Sequence, residues 1–346
     1  MKPNGKPRGV ALLMTIFVVA LLTIIVVEFT YSTEVEAHLT RTALSATQAR
    51  YLARAGAALA ELALLVDVVE KTKNPPDRPP VETLTDPWAQ PFPPRELGQA
   101  VGEAGYRIDD ESARFNVNAL APGPGVNPVV LEARKMIFQG VLTALGLDVN
   151  LLFPLLDWLD PDDEVTAKEG AEKEYYASLP VPLEPRNGKL LQIDELLLVR
   201  GWSDLTREQW AAIRPLLTAL PRGDLRINVN TAPELLLVGL LTKVDAAAAA
   251  KAIVARRERE PFVNGGDLDQ VPGWSQIPQQ VRSIFDVRSI TFTVHGIGIA
   301  AGVRRGVAIT ENRNGARLEV VNWREEAGSV SLTSPGPSDG MSALRP

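Results

Sequence analysis

Residues Val10–Val27 form an unbroken apolar run of 18 residues directly behind the basic leader MKPNGKPRG. At 1.5 Å rise per residue a helix of that length spans roughly 27 Å, close to the thickness of a bilayer core. No small-residue cleavage pattern follows the run; Glu28, Phe29, Thr30 and Tyr31 come next. A secretory signal would be shorter and would be discarded at such a pattern. The segment therefore reads as a retained membrane anchor. Lys2, Lys6 and Arg8 precede it and Glu28, Glu34 and Glu36 follow it, so the leader faces the cytoplasm and the rest of the chain faces outward.

An exported chain without cysteine has no disulfides, and this one contains none. Cys/His zinc sites and cysteine nucleophiles are excluded with them, and only His38 and His295 can offer an imidazole. The net charge of −6 argues against a protein held to nucleic acid by phosphate contacts. With 346 residues, 45% of them hydrophobic, the chain can bury a core and form about two domains beyond the anchor.

Helical signal continues behind the anchor. Leu52, Ala55, Leu59, Leu62, Val66 and Val69 alternate in steps of three and four, and no proline lies between Arg8 and Pro75. One helix over 10–72 follows, with that stripe expected against a globular domain. Eight prolines within Asn74–Pro94 leave too few backbone donors for a helix or central strand, so a loop is expected there. Gly105–Asp109 and Arg114–Leu120 read as extended pieces of a first sheet segment within 73–125. Residues 126–283 are helical in pattern. Strand alternation returns within 284–326 at Ile290, Phe292 and Val294, then Val303, Val307 and Ile309, then Leu318, Val320 and Trp323. Short strands need neighbours, so both strand regions are expected in one sheet with the helical block inserted between them. The stretch 327–346, rich in Ser, Pro and Gly, is expected to be disordered.

The inserted block repeats itself. Phe115-Asn116-Val117-Asn118 is echoed by Ile227-Asn228-Val229-Asn230, and Asp194–Trp202 (DELLLVRGW) by Asp267–Trp274 (DLDQVPGW). Two related units, about 126–220 and 221–283, are expected. The second resembles helix-hairpin-helix repeats, in which a glycine-bounded hairpin presents backbone N–H groups to a phosphate. Here Leu241 stands in place of the second glycine, and Glu258 and Glu260 interleave with Arg256, Arg257 and Arg259. A structural or protein-binding use of the scaffold fits better than DNA binding.

The densest charge lies in Asp157-Trp158-Leu159-Asp160-Pro161-Asp162-Asp163-Glu164, followed by Glu169, Glu172 and Glu174. Such a group can chelate calcium, or simply form a solvated capping loop; the spacing is not that of an EF-hand. Enzyme signatures are lacking. Asp109, Asp110 and Glu111 read as surface charge, neither a G-x-S-x-G elbow nor a phosphate loop occurs, and Gly296-Ile297-Gly298 with Gly302 is read as a turn or bulge.

RGVALL, QARYLARAG, DESARFNVNAL, DWLDPDDE, ELLLVRG, INVNTAPELL and VVNWREE, in this order, resemble the type II secretion minor pseudopilin K family (GspK, general secretion pathway protein K). The resemblance implies an α+β pseudopilin fold: a long N-terminal helix on a small antiparallel sheet, with a large all-α insertion of two SAM-like or helix-hairpin-helix-like units. It implies a non-enzymatic subunit in the inner membrane with a periplasmic domain, capping the pseudopilus tip with I-type and J-type minor pseudopilins. Prepilin peptidase would remove leader 1–9 between Gly9 and Val10 and methylate the new amine. Counting from Val10 places Met14 at the fifth position, where most pilins carry glutamate, and this marks a tip position. The family also implies calcium, with Asp160, Asp162, Asp163 and Glu174 as ligand candidates. A type IV pilus minor pilin and a membrane-tethered helix-hairpin-helix DNA-binding protein are the competing readings.

Overall fold

In a computed structural model of the chain, the structure describes residues 8–73, 80–98, 102–123, 125–241 and 245–327. Helix α1, Arg8–Lys71, is one continuous rod of 64 residues. Its apolar first part makes no buried contact, and its C-terminal third lies on the sheet. The expected stripe is not the face that packs. Ala49, Ala53, Gly56, Ala57, Ala60, Leu64 and Asp67 are buried, while Leu62, Val66 and Val69 are 54%, 48% and 52% exposed and Leu52, Ala55 and Leu59 half-buried.

The reason is distance. The strands beneath α1 are paved with glycine, and a Cβ at Gly298 would stand 2.0 Å from the Ala49 carbonyl oxygen, one at Gly296 2.1 Å from that of Ala53. Only alanine and glycine on the helix allow so close an approach, so the larger aliphatic side chains turn outward. Gly296 and Gly298 therefore lie in a regular strand, not in the turn or bulge expected from sequence.

The sheet is antiparallel, its five strands lying side by side in the order Phe92–Glu96, Glu103–Asp110, Thr291–Ala300, Val303–Asn314 and Arg317–Ala327. Strand β1, Phe92–Glu96, overlaps the end of the proline-rich segment read as loop. It is an edge strand with an irregular register between Phe92 and Arg95, where Pro93 and Pro94 need not donate to a ladder. Strand β2, Glu103–Asp110, is followed by β3, Phe115–Asn116, which leaves the sheet. The extended piece expected over Arg114–Leu120 stops there because the Asn116 side chain accepts from Asn118 N–H and starts a single helical turn.

The insertion then runs through α2 (Pro128–Ala144), α3 (Leu152–Leu159), α4 (Lys173–Ala177), α5 (Arg207–Ile213), β4 (Leu217–Thr218), β5 (Ile227–Asn228), α6 (Glu234–Leu240), α7 (Ala246–Arg257), α8 (Gln279–Arg282) and β6 (Phe285–Asp286). Strands β7 (Thr291–Ala300), β8 (Val303–Asn314) and β9 (Arg317–Ala327) complete the sheet, joining β2 to β7 across the insertion. Of the stretch 327–346, expected to be disordered, Ala327 ends β9, and 328–346 lie outside the described residues, as do residues 1–7 of the expected leader.

The internal echo corresponds to two units built alike. Each closes with a two-residue parallel pair, β3 with β4 and β5 with β6, so the first begins at Phe115 rather than near residue 126. In each, the second asparagine of the motif holds one distant residue by both backbone groups: Asn118 holds Leu190, and Asn230 holds Phe262. Gly201 and Gly273 take left-handed φ of 77° and 76°, delivering the buried Trp202 and Trp274.

Two hydrophobic cores result. One, between α1 and the sheet, holds Leu64, Trp88, Ile108, Phe292, Val294 and Val307; the other fills the insertion. Between them runs polar stitching: Asp110 accepts from Thr231 and Ser289 at 2.5 and 2.6 Å, and Asn228 donates to the Glu82 carbonyl.

Candidate functional site

The acidic loop is built around Asp157 at the end of α3. Seven of that helix's eight residues are buried, and this carries the Asp157 carboxylate to full burial. There it accepts from Thr166 N–H at 2.8 Å and Ala171 N–H at 2.7 Å, folding the following loop back over itself. Gly170 makes the fold-back possible, since a Cβ there would meet Asp157 Oδ2 at 2.1 Å. Arg200 fastens the loop from outside by donating to the Gly170 carbonyl.

This closure brings Asp157, Asp160 and Glu172 together, with ligand oxygens all within 4.8 Å of one another. Asp160 Oδ1 and both Glu172 carboxylate oxygens are buried without a hydrogen-bond donor. Burial, then Asp162 and Asp157, pushes the Asp160 carboxyl up to about 7; burial, then Asp157 and Asp160, pushes Glu172 up to about 7. Three crowded carboxylates, two of them with orphaned oxygens, call for a proton or a cation, and an all-oxygen donor set suits a hard divalent ion.

Of the four residues named from sequence, Asp160 belongs to this group. Asp162 accepts from Glu164 N–H, Asp163 accepts from the Asn187 amide, and Glu174 is exposed on α4. Asp157 and Glu172 were not singled out. Asp157 and Asp160, three apart at a helix end, share a face, which a spacing argument can see. Glu172 arrives only through the loop closure.

On α1, Gly9, Val10 and Met14 lie in the first turns, with Val10 and Met14 exposed. This is the one helix among the described residues long and apolar enough to cross a membrane. The exposed aliphatic face at Leu62, Val66 and Val69 lies on the C-terminal third of the same helix.

Two other chemistry-bearing clusters have structural partners. His295 sits buried between Asp109 at 3.4 Å and Glu326 at 3.1 Å, against a cavity of about 740 Å³ between sheet and insertion. Burial opposes its charge, but the two carboxylates outweigh burial and raise its pKa. Asp109 also takes Arg107 and Arg114, so the acids of the strand end are buried and paired rather than surface charge. In the helix-hairpin-helix-like unit, Arg257 donates to the Val229 and Ala232 carbonyls, and Arg256 lies over Phe262 and bonds Gln270. Gly239 admits Val141 of α2 at a separation a Cβ would fill. These groups serve packing; hairpin residues 242–244 lie outside the described residues.

Two family models described as type II secretion system (T2SS), protein K, match residues 113–222 and 227–288, one on each unit of the insertion. The type II secretion system protein K of Pseudomonas aeruginosa is 31% identical over 96% of this chain and 97% of its own length. That of Pectobacterium carotovorum is 31% identical over 74% and 77%. Among solved structures, the crystal structure of the GspK-GspI-GspJ complex from the enterotoxigenic Escherichia coli type 2 secretion system matches with a TM-score of 0.67 at 20% identity. It covers 83% of this chain and 99% of that one, which shows a shared fold. The chain thus belongs to the type II secretion system protein K family, the K-type minor pseudopilins.

Proposed function

We propose that this minor pseudopilin caps the tip of a periplasmic pseudopilus and nucleates it together with I-type and J-type partners, without enzymatic activity. The observation that carries this reading is where the insertion leaves the sheet. Gly298 abuts Ala49 at the end of the sheet nearer the membrane segment, whereas Arg313 reaches Asp67 near the other end of α1. The insertion departs from Asp110 and returns at Thr291, beside that far end. It therefore occupies the space a further subunit would need. Met14 supports the same position: with no glutamate there, the chain cannot neutralise the N-terminal amine of a neighbour inside the bilayer.

Before assembly α1 would anchor the chain once in the inner membrane, the leader cytoplasmic and the globular part periplasmic. Prepilin peptidase would cut between Gly9 and Val10. Asp157, Asp160 and Glu172 would hold calcium, a group that stabilises the folded acidic loop by neutralising it.

Partner helices would pack on the exposed aliphatic face of α1. The chain has no cysteine, so single cysteines report cleanly. Leu62→Cys and Val66→Cys in full-length protein should cross-link to the I-type partner in membranes, and Leu64→Cys, buried under the sheet, should not. Cross-linking from Leu64→Cys and none from the other two would contradict the reading.

A further inference from the structure

Strand β9 is left uncovered by the long helix. Helix α1 packs on β2, β7 and β8, and the side chains of β9 that point to the same side of the sheet, Val320 and Trp323, are 59% and 44% exposed. Their orientation follows from the register, which sets Trp323 beside Ile309 and Val320 beside Glu311. A trough results, with α1 as one wall and β9 as the other. Arg50 bridges it to Glu325 at 3.1 Å, and the Arg54 guanidinium lies 5.8 Å from the centres of both the Tyr51 and Trp323 rings.

The floor of the trough carries a carboxyl group without a cation. Glu311 on β8 is 2% exposed, its Oε2 has no hydrogen-bond partner, and among the described residues the charged group that acts on it is Glu61 on the flank of α1, within hydrogen-bonding reach. The charged groups on the surrounding elements are engaged elsewhere: Arg313 with Asp67 and Glu82, Lys71 with Asp67 and Asp86, Arg50 with Glu325. From β7 the residue opposite Glu311 is Phe292, which has no charge.

We propose that the Glu61–Glu311 pair is the receptor for a lysine or arginine set among apolar side chains on the helix of a neighbouring pseudopilin, which lies in the trough against Val320, Trp323 and Leu62. This rests on the assembly reading above and specifies its contact. The occupant follows from complementarity: an aliphatic and aromatic lining fits an apolar helix face, and two adjoining carboxyl groups without a cation, Glu311 buried and Glu61 half-buried, fit one cation. Before docking, the two acids satisfy each other by sharing a proton. Burial, then Glu61, pushes Glu311 up to about 7, and burial raises Glu61 as well. An incoming cation takes the proton's place, and the proton leaves to solvent. Docking then strengthens with rising pH, because the free state holds a proton that the bound state does not. For a free-state value near 7, affinity at pH 8 exceeds that at pH 6 by about tenfold.

The test uses the full chain in detergent micelles, titrated calorimetrically with its co-purified I-type and J-type partners in two buffers of different ionisation enthalpy. We expect release of about half a proton per complex at pH 7, rising to nearly one at pH 6, affinity about tenfold weaker at pH 6 than at pH 8, and loss of these effects in Glu61→Gln/Glu311→Gln. The wild-type proton count needs no variant, so a folding defect cannot obscure it. Tight binding without proton release would overturn the carboxylate receptor and leave the assembly reading standing. Absence of binding at every pH would overturn both.

Discussion

Replacing Gly298 by alanine tests the contact that orients the whole molecule, the seat of α1 on β7. The added Cβ would lie 2.0 Å from the Ala49 carbonyl oxygen and 2.4 Å from the Ala53 nitrogen, both backbone atoms of a rigid helix. Ordinary contact needs about 3.5 Å, so helix and strand must part by roughly 1.5 Å. A gap of that size strips much of the dispersion contact from Ala49, Ala53, Ala57 and Ala60, which are all at most 1% exposed. Overpacking costs about 1–3 kcal/mol, and rigid backbone on both sides places this site near the upper end, at about 3 kcal/mol. For a unit of this size the melting temperature should fall by roughly 6–12 °C. Circular dichroism melting of the full chain in detergent gives the readout, with Gly123→Ala as control because no atom lies within 4 Å of the Cβ it would add. A Gly298→Ala protein melting within about 1 °C of wild type would refute the glycine-paved seat.

Arg313→Met leaves Asp67 and Glu82 buried with only Lys71 to neutralise them. Urea unfolding should show a loss of about 3 kcal/mol. Chelation should lower the melting temperature, since an ion bound only to the folded state stabilises it. In the metal-free protein, Asp160 and Glu172, both raised to about 7, then favour unfolding at pH 8, where the unfolded chain is ionised and the folded one resists ionisation. Their penalty is relieved as pH falls toward 6, so metal-free stability should rise over that interval while the calcium-loaded protein stays nearly flat.

The long apolar N-terminal helix, the interrupted sheet and the paired units were legible because each rests on a local period: an apolar run, alternation by two, an asparagine motif repeated. The packing face of α1 was not. Its leucine and valine stripe and its alanine and glycine stripe both recur in threes and fours, and hydrophobicity alone favours the wrong one. What selects the small residues is the glycine pavement of β7, some 240 residues away in sequence. The acidic cluster was visible as a segment but not as a site. Glu172 joins Asp157 only because two backbone N–H groups close the loop onto a buried carboxylate. Likewise Glu311 reads as one polar residue in a strand, and its meaning depends on Glu61 standing over it.

The position of this subunit in an assembled pseudopilus tests the account most directly. Pseudopili built with the full chain carrying a single electron-dense label at an exposed site of the insertion, such as Val181→Cys, can be imaged individually. The proposed tip position predicts one label at one end of each filament, because the insertion would block addition beyond it. Labels recurring along the shaft would contradict the tip assignment.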